Sequence, residues 1–498
     1  MLVPGVFVFL IAACSNGEQQ GSLSGVPIET APAHDAPYAI GSSTFFIHDT
    51  SRGYDSVAGI DSGVRILITE IWYPVDHDTI TNGMQDYRRA TYGDYVFGDR
   101  EMHRMMMTRT TSFHLTPDTV RDGVTEVQID AAIEGLFLSE RASYVDAPLA
   151  ANESAWPVIV MTHGDGGSRY NMQTVCEYLA AHGYVVIAPE HTGNSPYSLT
   201  GRDPALAAQG GDAELRARMS SVMPLFSDLG AYGSEENYGQ SYTPLAEGVE
   251  PVEFLQQLDQ SLLQRLNDLR AALDELERMN RDGFAGAGAG VLNLERIGLM
   301  GRSFGGTTTL LGLAMEPRFT AGFSVVPPGW ADPRASLPAD LLAAAGEESV
   351  MLAQDGPFPL TDFAKPTVLL LCAEDGLIID ISAQPAAPTP DNPHTLMRQA
   401  FEATDAPVIW GLMADSNHSS FGVSGNYWWP GLKPNMQARY FEPETEFELI
   451  APRIAHQIQR ELALAFFDVT IRLDESAKFR LLDNRYEAQG LTLESRNF

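Results

Sequence analysis

The sequence predicts an α/β protein with a doubly wound, mostly parallel sheet and two insertions. Three observations lead to this prediction: short apolar runs recur along the 498 residues, helical patterns lie between them, and several runs are apolar at nearly every position. Continuous apolar runs are typical of strands buried on both faces of a parallel sheet. Alternation of strands and helices favours a sheet with helices on both faces.

The predicted strands are apolar runs that end in polar or turn residues. In chain order they cover residues 65–74, 156–164, 184–191, 296–301, 323–328, 366–375 and 407–416. A helical pattern at 171–183 ends in Gly183, a typical residue after a helix C-terminus. A longer pattern carries leucines at spacings of three and four from Leu255 to Leu276. Docking on the sheet explains that stripe, and so does a heptad partner helix.

Two segments break the alternation, at about 80–150 and 195–250. The first is polar, aromatic and methionine-rich, and the second is rich in Gly, Ser and Glu. Segments of this length inside a compact domain are usually functional covers or disordered loops. We therefore predict one domain over 38–498, with both insertions covering its functional edge.

The first 37 residues have a different character. The apolar run 1–13 matches the core of a secretory signal and is too short to span a bilayer. Ile11–Cys14 resembles a bacterial lipobox, which implies cleavage before Cys14, its lipidation, and attachment to the membrane of the cell envelope by acyl chains. A buried apolar N-terminus is the alternative. Residues 14–37, rich in Ser, Gly and Pro, are predicted to be a flexible tether.

Charge and cysteine content exclude several function classes. The net charge is −33 with three lysines, so nucleic acid is not an expected partner. An acidic surface suits a salty medium, or it reflects biased composition. No CxxC or HExxH motif is present, so no metal site or cofactor is indicated. Cys176 lies in a helical pattern and Cys372 ends a strand, so both are predicted to be buried free thiols.

One serine stands between glycines in RIGLMGRSFGGTTTL, residues 296–310. A predicted strand, then G-x-S-x-G, then a helical pattern is the arrangement of a nucleophile elbow. A sharp turn would expose the Ser303 hydroxyl at the sheet edge, and Gly301 and Gly305 would let the two backbones approach. Because 44 glycines make a chance match plausible, the flanking elements and the partner residues must decide.

The partners of Ser303 occur in the order serine, acid, histidine. A buried strand ends in Glu374-Asp375, and we assign Asp375 as the acid, with Glu374 as the alternative. His418 opens the loop after the last strand and is assigned as the base. Other histidines are expected on the surface or in the core, namely His34, His48, His77, His103, His114, His394 and His456.

Two main-chain N–H groups are needed to stabilise an oxyanion. One is expected from Phe304, the residue after the serine, and the other from the loop THGDGGSR after an earlier strand. We assign the second to Asp165. Its carboxylate would disfavour an oxyanion, so the side chain is expected to turn away.

These motifs carry a family resemblance. The segments around Asp165, Ser303, Asp375 and His418 resemble dienelactone hydrolases and platelet-activating-factor acetylhydrolases of the α/β-hydrolase superfamily. The resemblance covers roughly 38–80 and 155–470. It implies Ser303 as nucleophile, Asp375 as acid, His418 as base, and the amides of Asp165 and Phe304 as oxyanion hole.

The chain departs from these relatives at two points. It has serine where dienelactone hydrolases have a cysteine nucleophile, which favours esterase chemistry. It also has Arg302 where the family commonly has histidine. Arg302 is expected to pair with an acid such as Glu190, and a direct role at the substrate is the alternative.

The expected function is hydrolysis of a small-molecule or lipid-like ester through an acyl-enzyme, without a cofactor. Lipid-like, aryl and polymer-derived esters all fit. A serine peptidase, a lactonase or a non-catalytic envelope lipoprotein are the alternatives. Four aromatic residues after strand ends are expected either to line an acyl or aryl pocket or to pack the insertions onto the core; they are Trp330, Tyr427, Trp428 and Trp429.

Overall fold

A computed structural model of the chain describes residues 36–82, 87–97, 100–115, 125–198, 212–222, 251–345, 349–353, 356–382, 386–428 and 436–498. The predicted signal segment, Cys14, all but the last two residues of the predicted tether, Trp429 and most of the predicted 195–250 insertion lie outside these residues.

The strands of the described part form one large sheet and one small one. They are β1 (Ala39–Asp49), β2 (Arg65–Val75), β3 (Arg89–Thr91), β4 (Glu140–Val145), β5 (Trp156–Thr162), β6 (Val185–Pro189), β7 (Leu292–Arg302), β8 (Phe319–Val325), β9 (Thr367–Cys372), β10 (Val408–Met413), β11 (Met436–Ala438), β12 (Glu446–Glu448) and β13 (Leu491–Arg496).

The large sheet has the order β13-β10-β9-β8-β7-β5-β6-β2-β1-β4-β3. Strands β5 to β10 are mutually parallel, while β2 and β13 pair antiparallel at the two sides of this block. Strands β11 and β12 form a separate antiparallel pair. The predicted fold class is confirmed, and each of the seven predicted strands is present, as β2 and β5 to β10.

Helices cover both faces of this sheet. They are α1 (His77–Asn82), α2 (Arg100–Leu115), α3 (Glu126–Phe137), α4 (Gln173–Ala181), α5 (Ala213–Met219), α6 (Pro251–Asp282), α7 (Phe304–Met315), α8 (Ala339–Ala345), α9 (Gly376–Ile381), α10 (Thr395–Ala403), α11 (Pro452–Thr470) and α12 (Lys478–Leu482). Short 3-10 turns lie at Tyr92–Tyr95, Arg334–Ser336, Glu475–Ala477 and Glu487–Gln489, and a π-helical turn at Val423–Tyr427.

The leucine stripe of α6 docks on the sheet. This helix contacts β1, β6, β7 and α7. Leu269, Leu273 and Leu276 are buried against the strands, and Leu258, Leu262 and Leu266 are buried against α7 and the segments 350–352 and 358–360. Apolar side chains at helical spacing are removed from water by this contact, which stabilises the long helix. Of the two explanations of the stripe, packing on the sheet is the correct one.

The segment at 80–150 is more than a cover, which corrects the sequence-based expectation. It contains β4, which pairs parallel to β1, and β3, which pairs antiparallel to β4, so it extends the sheet. Strand β4 has the sequence ERASYV, whose polar residues prevent the continuous apolar run of a central parallel strand. Helix α2 fits the expected role better, because it packs against the π-helical turn that follows the His418 loop.

Cys176 in α4 and Cys372 at the end of β9 are buried free thiols in the described part of the chain, as predicted. Burial raises the pKa of both thiols well above the ordinary value. No helix within the described residues combines the length and apolar character of a membrane span.

Candidate active site

Ser303 stands at a sharp turn between β7 and α7. Its backbone has φ 58° and ψ −129°, a region that L-residues seldom adopt, and its N–H donates to the carbonyl of Val325 over 2.8 Å. Glycines make the turn possible: a Cβ at Gly301 would lie 2.3 Å from the Gly305 oxygen, and one at Gly305 would lie 2.2 Å from the Thr162 oxygen. The sequence pattern thus forms the strained strand–turn–helix that the motif predicts.

Three predicted side chains come together at this turn. His418 Nε2 is 2.9 Å from Ser303 Oγ, and His418 Nδ1 is 2.8 Å from Asp375 Oδ2. With the proton placed on Nδ1, the imidazole donates to the carboxylate and accepts from the hydroxyl. Asp375 is itself oriented, because its Oδ1 accepts from the N–H of Ile378 over 3.3 Å at the start of α9. The three groups have the hydrogen-bonded order of a Ser-His-Asp triad.

Glu374 has different partners from Asp375. Its carboxylate accepts from Arg439 at 2.5 Å and from the N–H of Tyr440 at 2.8 Å. These contacts connect the end of β9 to the hairpin of β11 and β12. The structure therefore brings Asp375, and not the alternative Glu374, to His418.

The loop with Asp165 lies against Ser303. A Cβ added to Gly164 would be 3.0 Å from the Cβ of Ser303, so the loop backbone passes next to the hydroxyl. Phe304 is the first residue of α7, where main-chain N–H groups have no acceptor within the helix. The Asp165 carboxylate accepts a hydrogen bond from the Asn194 amide. The residue before Asp165 and the first residue of α7 thus both adjoin the nucleophile.

Comparisons with known proteins agree with this geometry. The family model "Platelet-activating factor acetylhydrolase, isoform II" matches residues 131–335. A solved ferulic acid esterase from Streptomyces cinnamoneus aligns with a TM-score of 0.53 and 18% identity, over 94% of this chain and 99% of that chain. The chain has an α/β-hydrolase fold, and its segment 131–335 is similar to this acetylhydrolase family. The predicted resemblance is therefore confirmed at this level.

A curated relative of this chain is a platelet-activating factor acetylhydrolase from Cavia porcellus. It is 25% identical over 183 residues, which make up 36% of this chain and 37% of the relative. The chain thus matches little more than a third of that relative's length. The family match at 131–335 includes Asp165, Ser303 and Phe304 and ends before Asp375 and His418, so these last two are assigned by geometry.

Arg302 does not pair with Glu190, which corrects the sequence-based expectation. Glu190 is bound by Arg169, at 3.0 Å. The Arg302 guanidinium is buried and donates to the main-chain oxygen of His418. Burial lowers the pKa of Arg302 to about 10, and the nearby Asp375 opposes this shift. Arg302 therefore remains charged at neutral pH and contacts the loop that carries the histidine.

The aromatic residues predicted near the site divide into two groups. Trp330 is partly buried and packs edge-on against Phe304, with ring centroids 6.3 Å apart. Tyr427 stacks on His456 at 4.3 Å, and Trp428 is buried against Tyr92 and Tyr170 at 5.5 and 5.8 Å. Trp330 thus borders the nucleophile turn, whereas Tyr427 and Trp428 pack the region around α2 onto the core.

Several other described histidines make structural contacts. His103 donates to or accepts from the Tyr170 hydroxyl at 3.0 Å, and burial lowers the pKa of His103 to about 3. Burial has the same effect on the pKa of His456, which falls to about 3, and it also lowers the pKa of His394. Among the residues that the structure describes, no group of three or more His, Cys, Asp or Glu side chains could hold a metal ion.

A buried polar cluster next to the Asp165 loop was missed from the sequence. It consists of Arg265 and Asp268 of α6 with His191, which follows β6, and each of these side chains is fully buried. Charged residues on a long helix usually face solvent. The sequence signal was present but weak: Arg265 and Asp268 interrupt the apolar stripe on its buried side.

Proposed function

We propose that this protein is a serine carboxylic-ester hydrolase. One observation carries the proposal: the hydrogen-bonded series Asp375–His418–Ser303 ends at a strained turn that lies beside the backbone of the Asp165 loop. Nucleophile, base, orienting acid and main-chain donors are the parts that acyl transfer requires. The matched family and the aligned esterase support the same chemistry.

The proposed mechanism uses only groups of the chain and water. His418 accepts the Ser303 proton as Ser303 Oγ attacks the ester carbonyl, and the amides of Asp165 and Phe304 stabilise the oxyanion. Collapse of this intermediate expels the alcohol, which takes the proton from His418. Water activated by His418 then attacks the acyl-enzyme and releases the acid. Asp375 holds the imidazole tautomer and stabilises the imidazolium.

The proposed substrates are esters with an apolar acyl or aryl group, from lipids, aromatic acids or polyester fragments. Trp330 supports this class, because its partly buried ring packs on Phe304, the residue after the nucleophile, where an aromatic side chain would suit an apolar substrate group. The names of the similar proteins, a platelet-activating factor acetylhydrolase and a ferulic acid esterase, agree with it.

We also propose that Cys14 is lipidated and that the enzyme is held at the cell envelope. The proposal rests on the apolar run 1–13 and on the lipobox resemblance at Ile11–Cys14. Mass spectrometry of the protein from its native host tests it. A diacylglyceryl adduct on Cys14 is expected, whereas an unmodified peptide that begins at Met1 would refute it.

The activity is tested with matched p-nitrophenyl esters of two to sixteen carbons, aryl esters, lactones and p-nitroanilides. We expect ester hydrolysis that Ser303→Ala abolishes. The matched control is Ser336→Ala, which removes an exposed serine hydroxyl bound to the Pro333 carbonyl. Faster cleavage of anilides or lactones than of esters would favour the peptidase or lactonase alternative. A folded protein that acts on none of them would favour a binding lipoprotein.

A further inference from the structure

Arg265 is an unusual residue on the leucine-striped helix α6, because its guanidinium is fully buried. Nε donates to Thr308 Oγ1 at 2.8 Å, and Nη2 donates to Thr162 Oγ1 at 3.1 Å and to the carbonyl of His163. Nη1 donates to the side-chain oxygen of Asn194. Burying a guanidinium costs free energy unless its N–H donors find acceptors. Here oxygen atoms from three segments of the chain accept hydrogen bonds from the same side chain.

The partners of Arg265 belong to both sides of the assigned oxyanion hole. Thr162 and His163 lead directly into Gly164 and Asp165. Asn194 extends the connection: its side-chain amide donates to the Asp165 carboxylate, and its main-chain carbonyl accepts from the N–H of Gly166 at 3.1 Å. The Arg265 guanidinium therefore binds Thr162 and His163, which precede the loop, directly, and it is connected to Asp165 and Gly166 through Asn194.

The other side of the hole is the start of α7. The Arg265 guanidinium carbon is 4.9 Å from the centre of the Phe304 ring, which is a cation–π contact. Thr308, which accepts from Arg265 Nε, lies one turn further along the same helix. The side chain thus spans from the Asp165 loop to the residue after the nucleophile.

A second Asp–His–hydroxyl series supports the same loop. His191 Nδ1 is 2.9 Å from Asp268 Oδ2, and its Nε2 is 2.8 Å from Thr162 Oγ1. Burial lowers the pKa of His191 to about 3, so the imidazole is neutral. These three side chains are fully buried, so a substrate cannot reach them. The series therefore serves to hold the Thr162 side chain in position.

We infer that Arg265 is a positioning residue of the oxyanion hole, which fixes the Asp165 and Phe304 amides relative to each other and adds a positive charge beside them. The inference rests on the proposed ester hydrolysis. The four hydrogen-bond acceptors named above are uncharged oxygens, so these contacts do not neutralise the guanidinium. A buried positive charge favours an oxyanion more than a neutral carbonyl, and its effect falls on the transition state.

The test compares Arg265→Met, Arg265→Lys and Asn194→Ala with Arg270→Met. Arg270 is the matched control, because it lies on the same helix and binds Glu316 and the Met315 carbonyl, at 3.3 Å each, away from the loop. For Arg265→Met we expect kcat to fall on the order of 100-fold with KM nearly unchanged. Arg265→Lys should recover part of that loss, and Asn194→Ala should give a smaller loss.

An alkyl trifluoromethyl ketone distinguishes a role of Arg265 in positioning the oxyanion hole from a role in the stability of the protein. Ser303 adds to its carbonyl, the serine proton passes to His418, and the product carries an oxyanion; the alkyl methyl ketone reports binding without addition. Arg265→Met should weaken the trifluoromethyl ketone by about the factor lost in kcat and leave the methyl ketone unchanged. Hydrogen exchange of the 162–168 peptide, which needs no turnover, should be faster in Arg265→Met than in Arg270→Met.

A folded Arg265→Met protein with wild-type kcat, ketone affinity and loop exchange would overturn the inference. If Arg265→Met does not fold, Arg265→Lys and Asn194→Ala decide by the same measurements, because they keep the charge or leave Arg265 in place. A wild-type protein without ester hydrolysis would instead refute the proposed function, and the exchange measurement would still show whether Arg265 orders the loop.

Discussion

The guanidinium of Arg302 donates a hydrogen bond to the main-chain oxygen of His418. The serine motif thus makes two contacts with His418: Ser303 Oγ is hydrogen-bonded to its ring, and Arg302 is hydrogen-bonded to its backbone. Gly422 packs closely against this side chain, because a Cβ added to Gly422 would lie 3.1 Å from the Arg302 guanidinium carbon. The loop that carries the base is therefore held by the turn that carries the nucleophile.

Arg302→Met should lower kcat by about tenfold to 100-fold, since the histidine loses a support of its position but keeps its ring contacts. Arg302→Lys should restore part of the activity. The control is Arg296→Met, which removes an arginine of the same strand that also donates to a carbonyl, that of Thr470 at 3.0 Å. The separate kinetic constants give the second reading: kcat should fall in Arg302→Met with KM nearly unchanged, and both constants should stay near wild type in Arg296→Met. Equal kcat in the two variants would contradict this role.

Ser303 carries a backbone conformation that glycine adopts without a steric penalty. Ser303→Ala should therefore lose ester hydrolysis on the order of 10⁴-fold or more while folding normally. Ser303→Gly should be equally inactive but more stable than Ser303→Ala by about 1 kcal/mol, because it releases the strain of φ 58°. Denaturant unfolding of both variants measures this difference, and equal stabilities would show that the turn is unstrained.

The two neighbouring carboxylates should behave differently when neutralised. Asp375→Asn should reduce kcat by about 10³-fold or more, because an amide in contact with His418 Nδ1 favours the wrong tautomer. Glu374→Gln affects a mostly buried contact with Arg439 that does not touch His418, so it should change kcat by less than about threefold. Steady-state kinetics on one ester decides the assignment, and the reverse order of losses would move the acid to Glu374.

The sequence was most informative where the chemistry demands a local pattern. Strands buried on both faces leave continuous apolar runs, and the nucleophile turn requires small residues at Gly301 and Gly305, so both were predictable. Edge strand β13 was missed, because most of its side chains face solvent and it lacks an apolar run. The partner of Arg302 and the setting of Arg265 depend on contacts across more than 70 residues of sequence, to His418 and Asn194. A charged side chain in a linear sequence does not indicate such partners.

The pH dependence of stability should contain a contribution from Glu177 of α4. This carboxyl is buried, and desolvation raises its pKa to about 7, although Arg141 and the Gln173 amide act in the opposite direction. In the unfolded chain it ionises near its ordinary pKa of 4.5. Between these two values the unfolded state releases a proton that the folded state retains, so this contribution to stability is lost as pH rises from about 4.5 through 7.

Glu177→Gln removes that proton exchange and keeps an acceptor for Gln173, whose amide donates to Glu177 at 2.8 Å. The wild type should lose up to ~3 kcal/mol of unfolding free energy between pH 4.5 and 8 through this group, and the variant should lose correspondingly less. Urea unfolding of both proteins at pH 5 and 8 measures the difference. The control is Glu461→Gln on α11, whose partly exposed carboxylate lies 3.5 Å from Arg485. A buried acid with a raised pKa changes the pH dependence of stability only through the proton that it retains in the folded state. Identical pH dependence in wild type and Glu177→Gln would therefore mean that Glu177 is already ionised in the folded protein, held by Arg141.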